Sequence, residues 1–238
     1  MSAARIEPLG DGALLIRLGD RIDFEINRAT IAVAAALHAA RLPGVLDIAP
    51  AYASVCVRYD PARWARGDDE RSPYACITAA LGTMLRYDGH EGRAAAASDI
   101  ECIEIPVCYG AEFGPDLGDV AAHAGLEPDE VIARHAGADY RVAMLGFMPG
   151  FAYLLGLDSR LHAPRRASPR TRVPAGAVAI GGAQTGIYPR ELPGGWQLIG
   201  RTPRKLFDAG SDQPALLQPG QPVRFRAIDA DEYAARSR

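Results

Sequence analysis

The feature that most constrains the fold is the second half of the chain, where short apolar segments alternate with glycines and prolines. From Arg141 onward, each segment with strand-like composition is only a few residues long and is closed by a turn residue. Many short strands separated by close turns are typical of a β-barrel or a β-sandwich. The candidate strands are residues 141–145, 177–180, 186–188, 196–200 and 222–228.

The first part of the chain mixes helical and strand patterns. Asn27 is predicted to cap a helix that runs to about residue 41, and Ser72 followed by Pro73 starts a second helix that runs to about residue 86. The order β, α, β, β, α predicts a small sheet with two helices on one face. The candidate strands are residues 13–18, 45–48 and 54–59.

Residues 91–99 separate the two parts of the chain. This stretch has no apolar periodicity and is rich in alanine and charge, so we predict a linker. Residues 1–90 are then a small mixed α/β domain. Residues 100–238 begin with an alternating strand at 100–107 and end in the strand-rich region. The expected fold class is α+β.

Two short helices predicted at 116–123 and 129–135, with Gly125 between them, superficially resemble a helix-turn-helix. The second helix carries Asp129 and Glu130, whose negative charge would repel phosphate. The formal net charge of −3 gives no general case for nucleic acid either. We therefore interpret the segment as a structural helix pair and expect no nucleic-acid partner.

Several catalytic motifs are absent from the sequence. The chain has a single lysine, Lys205, and it follows an arginine, so there is no P-loop. There is also no Gly-x-Ser-x-Gly elbow, no His-Glu-x-x-His and no Gly-x-Gly-x-x-Gly after a strand. The five histidines show no metal-ligand spacing, so we expect no metal. We expect His123 and His135 on helix surfaces or in a core hydrogen bond.

The sequence predicts a cytoplasmic protein without membrane contact. No apolar run approaches the roughly 20 residues that a membrane helix needs. The four cysteines form no Cys-x-x-Cys pair, and a chain of 238 residues can build a core without disulfides. We therefore expect reduced, buried thiols.

The run from Gly146 to Pro203 is the candidate functional surface. Between Arg160 and Lys205 there are nine arginines or lysines and a single acid, Glu191. Prolines separate the arginines and hold this loop extended, which presents the guanidinium groups to an anion at low entropic cost. Phosphate, a carboxylate, an acidic partner protein or a merely solvated loop would each fit this pattern. The arginines are Arg165, Arg166, Arg170 and Arg172.

Glycine-rich turns and polar side chains accompany the arginines. Turns at residues 146–150, 181–182 and 193–195 let backbone amides approach a ligand closely. Nearby residues add an aromatic wall and several hydrogen-bond donors. The side chains are those of Gln184, Thr185, Tyr188, Trp196, Arg201 and Thr202.

Three long segments resemble a known family. They are GFMPGFAYLLGLDSRL, PRRASPRTRVPAGAVAIGGAQTGIYP and PGGWQLIGRTP. They are similar to the signature of the allophanate hydrolase subunit 1 family, which includes the 5-oxoprolinase subunit designated B and the kinase inhibitor KipI. The resemblance extends upstream through FGPDL and IPVCYG and into the first domain through AYASVCVRYDP.

The resemblance implies a small α+β domain followed by a cyclophilin-like β-barrel. It also implies a complex with a second barrel subunit and a larger third subunit, which converts the lactam 5-oxo-L-proline to L-glutamate with ATP. Whether ATP contacts this subunit itself stays open. The alternatives are an inhibitor of a sensor histidine kinase and a subunit of an allophanate- or urea-directed amidohydrolase complex.

The family signature marks these positions without assigning their roles, and our hypothesis for the site combines an anion clamp, lactam-orienting groups and an apolar wall. No catalytic residue can be assigned. The clamp would be Arg165, Arg166 and Arg170, with contact to the partner subunit as the alternative role for some of them. Arg201 would be a further substrate- or anion-binding residue. Gln184, Thr185 and Tyr188 would orient the lactam. The pocket wall would be Phe147, Pro149, Phe151 and Trp196.

Overall fold

The computed structural model describes residues 4–65, 71–87 and 101–237. The chain divides into two compact units, Met1–Asp99 and Ile100–Arg238. The predicted linker at 91–99 lies outside the described residues.

The first unit is a four-stranded antiparallel sheet with helices on one face. Its elements are β1 (Arg5–Pro8), β2 (Ala13–Arg17), α1 (Phe24–Ala40), β3 (Val45–Pro50), β4 (Ser54–Tyr59), α2 (Pro61–Trp64) and α3 (Pro73–Tyr87). The strand order is β1-β2-β4-β3. Leu14 of β2 lies opposite Val57 of β4, and both share a buried core with Leu37 of α1 and Ile77 of α3. The predicted sheet with two helices on one face is confirmed.

Helix α1 begins before the predicted cap. The side chain of Asp23 accepts the backbone N–H of Glu25 at 2.9 Å and caps the helix. Asn27 instead lies within the helix, is 1% exposed and donates its side-chain amide to the carbonyl of Ala51 at 3.1 Å. The prediction of an Asn27 cap was therefore wrong, because this buried amide ties the helix to the turn between β3 and β4.

The second unit contains a closed barrel. Its helices are α4 (Leu117–Ala124), α5 (Pro128–Gly137) and α6 (Ala230–Arg236), with a short 3-10 helix at Ser159–Leu161. Its strands are β5 (Ile103–Tyr109), β6 (Tyr140–Leu145), β7 (Ala152–Leu155), β8 (Arg170–Val173), β9 (Ala177–Gly181), β10 (Gln184–Ile187), β11 (Leu192–Gly194), β12 (Gln197–Arg201) and β13 (Pro222–Ile228). Among the described residues, seven strands close in the order β10-β7-β6-β13-β5-β12-β9. The expected α+β fold class, with a barrel in the second part, is confirmed.

The barrel joins the first and last strands of the unit. β5 and β13 run parallel, with Ile103 opposite Val223 and Cys108 opposite Ile228. The other barrel pairs in the described part run antiparallel. Residues from all these strands fill a core that also includes Val120 of α4.

Strand β9 is buried on both faces. Val178 and Ile180 belong to the barrel core, whereas the alternate residues Ala177 and Ala179 belong to a second cluster. We call this second layer the outer cluster. Its buried members are Phe151, Val173, Ala177, Ala179, Tyr188, Leu192, Trp196 and Leu198. The Gly- and Pro-rich run therefore covers the barrel wall, with the two-stranded sheet β8–β11 on the outside.

Candidate functional site

The predicted pocket-wall residues lie in and beside the outer cluster. Phe151 and Trp196 are buried within it, whereas Pro149 is exposed and Phe147 is 64% exposed. The rings of Phe147 and Phe151 meet edge-on with centroids 5.6 Å apart. Phe147 has φ 65°, a left-handed conformation that bulky residues rarely adopt. Backbone strain of this kind concentrates at ligand sites, so the exposed ring marks a candidate contact.

Glycines make room for the aromatic rings of the outer cluster. A Cβ on Gly181 would stand 2.6 Å from the ring of Trp196, and one on Gly194 would stand 2.3 Å from the hydroxyl of Tyr188. These rings therefore pack directly on backbone. At these two positions the turn glycines serve aromatic packing.

Arg166 and Arg170 bind a carboxylate of the chain itself. The side chain of Asp116 is 3% exposed. It accepts from Arg166 Nη1 at 3.0 Å and from Arg170 Nη1 and Nη2 at 2.8 and 2.7 Å. It also accepts the backbone N–H of Leu198 at 2.7 Å. Asp116 thus links the proline-spaced loop to β12 and to the start of α4. The binding of a ligand by Arg166 and Arg170 stays a prediction.

Arg165 is placed differently from its two neighbours. Its side chain is exposed, and its guanidinium carbon lies 5.8 Å from the centroid of the Trp196 ring, within cation–π range. No acidic side chain in the described part of the chain pairs with it. Arg172, by contrast, pairs with exposed Glu191 at 2.7 Å. Among the three arginines predicted to clamp an anion, Arg165 therefore has the most available charge.

Tyr153 accompanies Arg165 on the same surface. Its ring lies 5.8 Å from that of Trp196 and 4.8 Å from that of Phe151. Burial raises the pKa of Tyr153, and the positive charge of Arg165 acts in the opposite direction. The phenol therefore stays protonated at neutral pH and can donate a hydrogen bond. We call Phe147, Tyr153 and Arg165, with Phe151 and Trp196 beneath them, the Arg165 surface.

Thr185 closes a hydrogen-bond chain inside the second unit. It is fully buried, and its hydroxyl donates to the carbonyl of Ala179 at 3.0 Å. Since that uses its only hydrogen, it accepts from His135 Nε2 at 3.0 Å. Nδ1 of the neutral His135 then accepts the hydroxyl of Tyr109 at 2.8 Å. The expected core hydrogen bond of His135 is confirmed, and exposed His123 lies on a helix surface as expected.

The buried His135 predicts a specific acid sensitivity. Burial lowers its pKa from 6.5 to about 3, so the unfolded chain takes up a proton in mild acid while the folded chain does not. From about pH 7 to pH 5 the free energy of unfolding is expected to decrease, by at most about 1.4 kcal/mol per pH unit from this group. Urea unfolding at a series of pH values should show a shallower decrease for His135→Gln than for wild type. Equal slopes for the two proteins would contradict this assignment.

The remaining predicted residues are dispersed. Gln184 is partly exposed at the start of β10, and Tyr188, just after that strand, is 2% exposed. Burial raises the pKa of Tyr188. Contacts of a lactam with Tyr188 or Thr185 would require their buried hydroxyls to be uncovered, and they stay predictions. Arg201 lies at the end of β12, where its Nε donates to the carbonyl of Ala175 at 2.9 Å.

The described residues offer neither a metal site nor a membrane-spanning helix. Within residues 4–65, 71–87 and 101–237, no three His, Cys, Asp or Glu side chains are grouped so that they could hold a metal ion. Over the same ranges, no helix has the length and apolar character needed to cross a membrane.

Sequence reasoning missed Asp116 and Tyr153. The run from Arg160 to Lys205 has nine positive charges and one acid, so a counter-charge from elsewhere in the chain was to be expected. Nothing in the sequence pointed to Asp116 as that residue. Tyr153 lies between the buried residues Ala152 and Leu154, and strand alternation places it on the opposite face.

Comparison with known proteins assigns the chain to a family. A family model described as carboxyltransferase domain, subdomain C and D, matches residues 4–217. The chain belongs to this carboxyltransferase-domain family. The match extends across both units, as the motifs in both parts of the sequence had indicated.

Two relatives of this carboxyltransferase-domain chain match it over nearly its whole length, and each is the 5-oxoprolinase subunit designated B of its organism. The chain is 43% identical to the protein of Bacillus subtilis strain 168, over 97% of the chain and 95% of that protein. It is 40% identical to the protein of Escherichia coli O157:H7, over 94% of the chain and 96% of that protein. The family resemblance expected from the motifs is confirmed.

A solved structure supports the fold of the carboxyltransferase-domain chain. The crystal structure of TTHA0988 is similar with a TM-score of 0.76 and 38% sequence identity. The similarity covers 92% of the present chain and 40% of that chain. The present chain therefore corresponds to less than half of the TTHA0988 polypeptide.

Proposed function

We propose that this chain is one subunit of a cytoplasmic complex that hydrolyses 5-oxo-L-proline to L-glutamate with ATP. The observation that carries the proposal is the near full-length similarity, at 40% and 43% identity, to two relatives that are named as a 5-oxoprolinase subunit. The Arg165 surface has chemistry that suits this reaction.

The substrate offers a carboxylate and a lactam carbonyl, and both accept hydrogen bonds from cations and neutral donors. A lactam is too stable to open readily in water. In the proposed reaction ATP transfers a phosphoryl group to the lactam oxygen and leaves as ADP. One water adds to the activated carbonyl carbon and the C–N bond breaks, which gives an acyl phosphate. A second water then hydrolyses this acyl phosphate to L-glutamate and phosphate. The phosphoryl group on the lactam oxygen carries negative charge, and the Arg165 guanidinium and the Tyr153 phenol are the kinds of donor that stabilise it.

The Arg165 surface is proposed to be half of a composite site. It offers a cation, a phenol and an apolar ring, but its residues include no nucleophile paired with a general base. We propose that a second barrel subunit covers this surface and that a larger third subunit completes the enzyme. The ATP requirement belongs to this complex.

Reconstitution with the partner subunits tests the proposal. We expect ADP release and L-glutamate formation that depend on 5-oxo-L-proline only when this chain and its partners are all present. Mixtures lacking one subunit at a time are the controls. Absence of lactam-dependent turnover in the complete mixture, or full turnover without this chain, would overturn the proposed function.

A further inference from the structure

A cleft lies at one end of the barrel, and it shares no lining residue with the Arg165 surface. Its volume is about 400 Å³, and its walls include Glu112, Phe113, Arg201 and Tyr233. Cys108 of β5 lies opposite both Arg201 of β12 and Ile228 of β13. The cleft is thus built where these three strands end, from the loop after β5, the last residue of β12 and helix α6.

The cleft contains two opposite charges that do not pair with each other. Over the described residues, the Glu112 carboxylate makes no hydrogen bond or ion pair. Arg201 uses its Nε for the carbonyl of Ala175, which leaves its terminal nitrogens available. The cleft therefore presents a free carboxylate and a free guanidinium edge around one space.

The same cleft has an aromatic wall. The rings of Phe113 and Tyr233 lie 4.6 Å apart at an interplanar angle of 55°. They join the loop after β5 to helix α6 across the cleft. Rings of this kind offer apolar area to the methylene groups of a ligand.

The loop that carries Glu112 and Phe113 is held in a strained and fixed conformation. Ala111 has φ 45°, which is rare for a residue with a Cβ. The amide of Gly110 donates to Ile199 at 3.1 Å and that of Gly114 donates to Gly110 at 2.8 Å. A Cβ on Gly114 would stand 2.0 Å from the Ile199 carbonyl oxygen, so the loop lies directly on β12. The loop that carries Glu112 and the strand that carries Arg201 are therefore fixed relative to each other before a ligand binds.

We propose that this cleft binds a free α-amino acid. The ligand carboxylate would pair with the terminal nitrogens of Arg201, which suit a bidentate contact. Its ammonium group would pair with Glu112, and its side-chain methylenes would lie against Phe113 and Tyr233. A simple carboxylate would satisfy only half of these contacts.

The natural ligand is L-glutamate, an identification that rests on the proposed function. Both 5-oxo-L-proline and L-glutamate carry a carboxylate, but only the ring-opened product has a cationic ammonium group. Glu112 therefore selects product over substrate, because it would face an uncharged lactam nitrogen in the substrate. The cleft would then sense product at a place separate from the Arg165 surface.

Calorimetric titration of the full chain tests the cleft. The probes are L-glutamate, glutarate (which lacks the ammonium group) and 5-oxo-L-proline. Wild type is expected to prefer L-glutamate over both by about tenfold or more, the effect of one charge-assisted contact. Glu112→Gln, at an exposed side chain without hydrogen bonds, should abolish this preference. Arg201→Gln should bind all three ligands more weakly, whereas the matched exposed variants Glu191→Gln and Arg204→Gln should bind them like wild type.

Three results would overturn the assignment. They are no binding of L-glutamate by wild type at millimolar concentrations, equal binding of glutarate and L-glutamate, and an unchanged preference in Glu112→Gln. Because Glu112 makes no hydrogen bond or ion pair with the described residues, a circular dichroism spectrum like that of wild type is expected for its variant. The titration does not depend on turnover. If the complete complex showed no lactam-dependent activity but the cleft still selected L-glutamate, the proposed function would therefore be wrong and the assignment of the cleft to α-amino acids would stand.

Discussion

Replacement of Asp116 by alanine is expected to lower the free energy of unfolding of the second unit by about 3–5 kcal/mol, the effect of breaking a buried ion pair from one side. The carboxylate is 3% exposed and bonds two guanidinium groups. It also accepts the amide of Leu198. Its removal leaves the buried Leu198 amide and two partly exposed guanidinium groups without this acceptor. Urea unfolding followed by the fluorescence of Trp196, in a background that lacks Trp64, measures the change.

The matched control for Asp116 is Glu191, the acid within the arginine-rich run. Its carboxylate pairs with Arg172 at 2.7 Å, and the two side chains are 52% and 77% exposed. Exposed pairs contribute about 0–1 kcal/mol, so Glu191→Ala should unfold almost like wild type. The free energy of unfolding of Asp116→Asn should lie between those of wild type and Asp116→Ala, since asparagine keeps an acceptor oxygen and loses the charge. Similar small losses for Asp116→Ala and Glu191→Ala would show that Asp116 does not hold the loop.

Replacement of Arg165 by glutamine is expected to lower kcat/KM for 5-oxo-L-proline in the reconstituted complex by about 10- to 100-fold, the loss of a charge-assisted hydrogen bond. Arg165 is exposed and lies over Trp196, and no ion pair ties it to the described part of the chain. The free energy of unfolding should therefore change by no more than about 0.5 kcal/mol. Lactam-dependent ADP release and urea unfolding on the same preparations separate the two effects.

Arg172→Gln is the control within the same loop. Arg172 is paired with Glu191 on the exposed strand β8, so its loss should leave kcat/KM near that of wild type. Arg165→Lys keeps the charge without the planar donor pair and should recover part of the activity. If Arg165→Gln turned over the substrate like wild type, the Arg165 surface would have no part in the reaction.

Much of the fold could be predicted because local signals agreed with tertiary structure. The alternating apolar residues of β5 predicted that strand, and short apolar segments predicted β2, β4 and β13. The cap of α1 was misassigned because Asn27 and Asp23 have similar capping propensity, and only the buried contact of Asn27 with Ala51 separates them. Strands β8 and β11 were missed because prolines stand beside or within them. Their pairing is tertiary and leaves no periodic pattern.

Less of the candidate site could be predicted, because charge composition does not identify partners. The arginine-rich run suggested an anionic ligand or partner, whereas in the structure Arg166 and Arg170 bind the carboxylate of Asp116, which lies 50 or more positions earlier in the chain. The glycine turns suggested backbone approach to a ligand, whereas Gly181 accommodates Trp196. Whether a side chain can contact a ligand depends on its burial, and the burial of a loop residue depends on residues that are distant in the sequence.

The parallel pairing of β5 with β13 also governs when the barrel can form during synthesis. During synthesis, Ile103 of β5 cannot pair with Val223 of β13 until Val223 has left the ribosome. Contacts between such distant positions carry a large loop-closure entropy and slow the folding step. Until β13 docks, its neighbours β5 and β6 present open edges, which are sites of intermolecular association. The nascent barrel is therefore most vulnerable to aggregation in the interval just before its last strand emerges.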